Sequence, residues 1–202
     1  MPTSFLVVDD FLDNANDLRN AALQLSYPEQ STYYPGRNSV QRIDLQGLTE
    51  GISQLVGEPL KPALPREAHA KCRITLAKDV GTAKVHIDRA HWSGILYLSR
   101  PEDCRGGTEF FRHRPSNSDR APYDDREAQQ WGYASAKAMV TEAGEQTLDD
   151  SKWEHTMTIP MRFNRLVLLR PWLWHTAGEN FGTTMENGRL VYLMFFESAP
   201  RV

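Results

Sequence analysis

Apolar residues fall along this chain in short runs whose spacing changes character near Glu67. Phe5, Leu6, Val7 and Val8 read as a short buried strand. Asp13 stands where it can cap a helix over residues 14–25, with Leu18, Ala21, Ala22 and Leu25 on one stripe. Residues 26–38, rich in proline and tyrosine and containing Gly36, predict a loop, and residues 48–56 predict a short helix that Gly57 stops. Pro59, Pro62 and Pro65 then mark a linker. Beyond Glu67, residues 69–77, 83–88, 94–99 and 108–111 are strand-like runs separated by turn residues. Residues 164–169 and 188–196 add two runs rich in branched and aromatic side chains, with Pro171 and Gly182 in the turns around them. Many short strands at close spacing predict an antiparallel sandwich or jelly roll. Residues 112–158 interrupt them as a polar insert, within which residues 127–140 can form a helix with Ala128, Trp131, Ala134, Ala138 and Met139 on its apolar side.

The 202 residues suffice for one domain with a sizeable core and leave no room for two ordinary enzyme domains. Hydrophobic residues at 40% and charged residues at 24% match a folded domain and not a disordered tail. The formal net charge of −3 lacks the basic excess that a dedicated nucleic-acid binder needs. Residues 112–158 contain six basic and nine acidic residues and so hold the whole excess, which makes the insert the segment expected to choose a substrate. Cys72 and Cys104 are too few for a disulfide scaffold and form no Cys-x-x-Cys pair, which suits a reducing compartment. The first apolar run breaks at Asp9-Asp10, so neither a signal segment nor a membrane span is read, and a cytoplasmic protein is expected.

The chemistry concentrates in a few residues. His86-Ile87-Asp88 puts an imidazole and a carboxylate two residues apart, and the period of an extended strand sends both to one face. A second imidazole, His175, follows another apolar run in Trp172-Leu173-Trp174-His175-Thr176. Two histidines and one carboxylate occupy one face of an octahedron and leave three positions for exogenous ligands, which suits non-haem Fe(II) and dioxygen. Arg189 opens a run otherwise built to be buried, through Leu190 to Phe196. A buried guanidinium needs an anion, and its planar fork fits the carboxylate of a small dicarboxylate beside the metal.

In this order the residues resemble the Fe(II)- and 2-oxoglutarate-dependent oxygenases, and within them the prolyl-hydroxylase-like branch. The pattern is His86-x-Asp88, then His175, then Arg189, with Ile95-Leu96-Tyr97-Leu98-Ser99 and Gly106-Gly107-Thr108-Glu109-Phe110 between them. The resemblance covers residues 71–197 without the insert. It implies a mainly β (α+β) double-stranded β-helix, jelly-roll or cupin-like, with supporting N-terminal helices. Residues 1–66 would be the support, 67–111 and 159–197 the core, and 112–158 an active-site lid or substrate loop. It implies Fe(II) held by His86, Asp88 and His175, with 2-oxoglutarate and O2 as cosubstrates. Arg189 would hold the distal carboxylate of 2-oxoglutarate, and the Tyr97 hydroxyl would donate to it. The charges of a divalent ion, Asp88, the dianionic cosubstrate and Arg189 cancel, so the assembly can be buried.

The carboxylate Asp88 is present where halogenating relatives carry a small residue, so hydroxylation with release of succinate and CO2 is expected. The nucleic-acid demethylase branch carries a second arginine six positions beyond the first, where this chain has Phe195. A small-molecule or amino-acid-like substrate is favoured over a peptide or protein side chain. The reading of another class is a non-catalytic jelly roll that senses 2-oxoglutarate or metal. No nucleic-acid or membrane partner is expected, and an exposed strand edge would serve a homodimer. His91 and Trp92 could reach the substrate space. His69, His113 and His155 are read without a chemical role, and Trp172 and Trp174 are expected to point one into the barrel and one toward the insert.

Overall fold

A computed structural model describes residues 3–29 and 33–200. Among the described residues, ten strands and four α-helices follow one another as β1 (Phe5–Val8), α1 (Ala15–Leu23), β2 (Arg37–Asn38), α2 (Leu48–Val56), β3 (Leu60–Pro62), β4 (Cys72–Thr75), β5 (Trp92–Tyr97), β6 (Gly107–His113), α3 (Asp125–Gln130), α4 (Ala136–Glu145), β7 (Trp153–Pro160), β8 (Leu166–Leu169), β9 (His175–Thr176) and β10 (Arg189–Ser198), with a 3-10 turn at Asp150–Lys152 before β7. The larger sheet runs β1-β8-β5-β10-β4-β2, with β3 added to the far half of β10. The smaller sheet runs β7-β6-β9. All pairings are antiparallel.

Strands β8 and β10 are apolar at both parities because both faces of the larger sheet are covered. Leu166, Leu168, Leu190, Tyr192, Met194 and Phe196 pack outward with Leu18 and Ala22 of α1 and Ile52 of α2. The opposite parity, Val167, Leu169 and Val191, meets Phe110 and Ile159 of the smaller sheet. A third cluster forms on the outer face of the smaller sheet, where Phe111, Trp153 and Trp174 pack against Met139 and Ala143 of α4. Burial of this kind contributes about 25 cal/mol per Å² of apolar surface.

Several expectations are adjusted. β1 is an edge strand with Phe5 and Val7 about two-fifths exposed, because it pairs with β8 on one side only. Asn14, not Asp13, stands at the start of α1, and its side chain makes no capping bond. Residues 127–140 are not one helix: Gly132, at φ +89°, separates α3 from α4, which Asp124 and Ser135 cap. α2 occupies Leu48–Val56 and ends at Gly57 in the left-handed conformation, as its sequence predicts.

Gly107 is where the smaller sheet tolerates no side chain. At φ +157°, an added Cβ would lie 1.9 Å from the Ile159 carbonyl oxygen, a backbone atom of the paired strand. Gly107→Ala is therefore expected to lower stability by more than about 2 kcal/mol, read as a shift in denaturation midpoint. An unchanged midpoint would mean that β6 and β7 can separate without cost.

Candidate active site

His86 and His175 are brought together by the backbone. Residues 83–88, expected as a strand, form only a single antiparallel bridge, in which His86 N–H donates to His175 O (2.9 Å) and His175 N–H donates to His86 O (3.0 Å). The Asp88 amide donates to Pro171 O at 3.0 Å. The residues just before His86 are pinned as well: Thr147, just past α4, accepts from the Lys84 amide (2.9 Å) and donates to Val85 O (2.7 Å).

Each histidine then turns the same nitrogen toward one point. His86 Nδ1 lies 2.9 Å from Lys84 O and His175 Nδ1 lies 2.7 Å from Leu173 O. A carbonyl can only accept, so Nδ1 carries the proton and Nε2 keeps a free lone pair. His86 Nε2 is 3.7 Å from one Asp88 oxygen and His175 Nε2 is 3.5 Å from the other. The three donor atoms lie within 4.8 Å of one another, close enough for His86, Asp88 and His175 to hold a metal ion. Burial, reinforced by neighbouring His175, drops His86 to about 4 and keeps it neutral. For Asp88 burial pushes upward, but the two imidazoles facing its oxygens and the Ser93 hydroxyl override it and hold the carboxyl at about 2. Ser93 Oγ donates to Asp88 Oδ2 at 2.8 Å and fixes the carboxylate's orientation.

The triad lines a cavity of about 1040 Å³ that also takes in Arg73, Thr75 and Arg189. Arg189 is 2% exposed, and its Nε has no hydrogen-bond partner. Among the described residues no acidic side chain pairs with it, Glu109 included; burial pushes its pKa down, opposed only by Tyr97. A buried guanidinium left without an anion is costly unless a ligand supplies one. Arg73 lies nearby, brought down to about 10 by burial and by the charge of Arg189.

Tyr97 has another task than the one the resemblance implied. Its hydroxyl lies 2.6 Å from Thr108 Oγ1 and accepts from the Thr108 amide at 2.9 Å, so it is spent between the sheets, and the residue does not line the cavity. Its ring stands 5.9 Å from the Arg189 guanidinium carbon. His91 also turns away from the cavity, to Glu58 (2.6 Å) and Arg170 (2.8 Å). Trp172 and Trp174 both belong to the outer cluster, so neither enters the space between the sheets. Of residues 112–158 only Leu148 reaches the cavity; α4 lies on the outer face of the smaller sheet, not over the mouth.

Tyr34 and Arg73 escaped the sequence reading. The Tyr34 ring stands 4.3 Å from the His86 ring. Arg73 holds its segment, donating to Tyr34 O (2.8 Å), Pro35 O (3.0 Å) and Asn38 Oδ1 (2.7 Å), while the Thr82 and Ala83 amides donate to Tyr33 O (3.0 and 2.9 Å). Their only signal was a tyrosine-rich loop ending at Gly36, where an added Cβ would meet Thr75 Oγ1 at 2.3 Å. Arg73→Ala is expected to cost about 2 kcal/mol and to speed amide exchange at Thr82 and Ala83. Lysine should not restore protection, because one ammonium cannot span the three acceptors. Unchanged exchange would show that the strap holds without Arg73.

The sequence pattern of one family, described as a family of unknown function (DUF6445), matches residues 2–196. No curated protein matches the chain. Among solved structures the chain is similar to HygX from Streptomyces hygroscopicus with nickel, 2-oxoglutarate and hygromycin B bound (TM-score 0.59, 14% identity, covering 98% of this chain and 84% of that one). It is also similar to HygX with iron bound (0.52, 15%, 98% and 83%). A third is SnoK, a non-heme alpha ketoglutarate dependent carbocyclase from nogalamycin biosynthesis (0.54, 13%, 98% and 87%). At these identities the likeness is one of fold.

Proposed function

The chain belongs to the DUF6445 family, and from that premise we propose that it is an Fe(II)- and 2-oxoglutarate-dependent dioxygenase on a double-stranded β-helix, hydroxylating a small molecule with release of succinate and CO2. One observation carries the reading: a buried arginine without an acidic partner shares its cavity with a His-Asp-His triad whose donor atoms converge. The bound metals and 2-oxoglutarate of HygX support it.

The residues fit the group. Two imidazole nitrogens and one carboxylate suit Fe(II) and leave positions open for a chelating cosubstrate. His86 Nε2, Asp88 and His175 Nε2 would hold the iron, with Ser93 keeping the carboxylate in place. Arg189 would hold the distal carboxylate of 2-oxoglutarate, and Thr75, its register partner on β4, lines the same end of the cavity. When bound, iron and 2-oxoglutarate together supply oxidising power from O2 by decarboxylating the cosubstrate. The Tyr34 ring and the Arg73 strap cover one side of His86 and limit the approach of water.

Anaerobic addition of Fe(II) and 2-oxoglutarate is expected to produce a visible charge-transfer absorption that neither gives alone. Oxygen should then convert 2-oxoglutarate to succinate and CO2. Absence of the absorption would overturn the reading, and absorption without turnover in the presence of any substrate would favour a sensor.

A further inference from the structure

The cavity is larger than 2-oxoglutarate needs, and its polarity changes along β10. At about 1040 Å³ it reaches the upper end of the roughly 300–1,000 Å³ range of pockets for drug-sized ligands. The inward positions of β10 run Arg189, Val191, Leu193 and Phe195, all on the cavity wall. Arg189 pairs in register with Thr75, and Phe195 pairs with Ser93, the residue that holds Asp88. The metal-binding carboxylate is thus fastened at the Phe195 end. There the wall is Leu193 and Phe195 together with Leu64, Pro65 and Ala68, with Glu67 and His69 contributed by the same segment. That wall is fixed, since the Ala63 amide donates to Phe195 O (2.9 Å) and the Phe195 amide donates to His69 Nδ1 (3.0 Å).

The apolar character continues onto the rim. Leu64, Val80 and Leu148 are 67%, 86% and 57% exposed, and all three line the cavity from separate segments of the chain. Large apolar side chains left exposed on the lining of one cavity mark a contact surface, whereas scattered ones need no explanation. The charges there do not select a sign. Lys84 is paired with Asp150 (2.6 Å), and Asp79 accepts from the Leu76 amide (2.9 Å) and lies 4.0 Å from Arg37. Glu67 and Arg89, one of each sign, remain at the wall.

We propose that the primary substrate is an uncharged, largely apolar molecule of drug size. Its body packs on Leu193, Phe195, Leu64 and Pro65, and the carbon to be oxidised is presented beside Asp88. Free amino acids, nucleotides and polyhydroxylated sugars do not match this wall. That the ligand is oxidised rests on the oxygenase reading; that the pocket prefers apolar neutral ligands does not.

The test uses the full chain, with and without Fe(II) and 2-oxoglutarate under anaerobic conditions, titrated with the neutral apolar fluorophore N-phenyl-1-naphthylamine. Saturable binding at one site is expected. Neutral apolar compounds should displace it, and amino acids and sugars should not. Leu64→Asp and Val80→Asp, both at exposed positions, should each weaken binding tenfold or more with an unchanged thermal midpoint. Binding that ignores both substitutions, or the absence of saturable binding, overturns the proposal. In turnover, neutral apolar compounds should accelerate succinate release, and acceleration by amino acids or sugars instead would overturn it too. If metal and 2-oxoglutarate give no visible absorption while the fluorophore still binds with these preferences, the oxygenase reading fails and the pocket assignment stands.

Discussion

Asp88→Ala is expected to lower metal affinity more than a hundredfold and to abolish 2-oxoglutarate turnover. Asp88 is the one carboxylate of the cluster, and its two oxygens face His86 and His175 separately. Without it, two imidazole nitrogens remain, with no negative charge to offset a divalent ion in a buried site. Partners that orient a ligand typically contribute 10–100-fold to metal affinity, and a ligand itself contributes more. Ser93→Ala therefore gives a graded comparison: the carboxylate stays but loses the hydroxyl that orients it, and a loss of about 10–100-fold is expected. His86→Ala and His175→Ala should fall with Asp88→Ala. Competition with a metal indicator under anaerobic conditions reads all four variants. Retained turnover in Asp88→Ala would remove the triad from the mechanism, and a Ser93→Ala loss equal to that of Asp88→Ala would mean that the whole site had collapsed.

The triad and Arg189 were legible because strand periodicity carries information about faces. His86 and Asp88 are two residues apart, and Arg189 opens a run whose parity sends Val191, Leu193 and Phe195 to the same side. What periodicity cannot carry is the partner a side chain meets across a gap. Tyr97 has the right parity to face the smaller sheet, yet only the β6 register shows that Thr108 takes its hydroxyl. The same limit hid Tyr34 and Arg73, whose meeting depends on an aperiodic loop crossing β4 beside Gly36. The insert was legible as polar and helical, but its helices' apolar sides could have faced either the mouth or the outer face of the smaller sheet. Phe111, Trp153 and Trp174 decide for the outer face, because they form an apolar surface there that needs cover. Thr147 then ties the returning chain to the segment that carries His86, a contact with no local signature.

Arg189→Met is expected to do two opposite things. It should weaken 2-oxoglutarate binding to the metal-loaded protein by about 2–4 kcal/mol, roughly 30- to 900-fold, the range for removing one partner of a buried charged pair. It should also raise the thermal midpoint of the ligand-free protein. The guanidinium is 2% exposed, with an unpartnered Nε and no acidic partner among the described residues. A methionine of similar length removes that buried charge while keeping most of its packing. The wild-type protein should recover the difference when 2-oxoglutarate arrives. At a concentration 100 times Kd the ligand adds about 2.7 kcal/mol, or roughly 5–10 °C for a chain of this size, and at the same concentration the variant should gain about a third of it or less. A structural arginine predicts the reverse sign for the ligand-free midpoint, since removing it would leave an acid or a carbonyl unsatisfied. A midpoint that falls on substitution, together with unchanged 2-oxoglutarate affinity, would reject Arg189 as the anchor; a midpoint that rises while affinity falls can only come from a cation kept buried for a ligand that the fold does not itself provide.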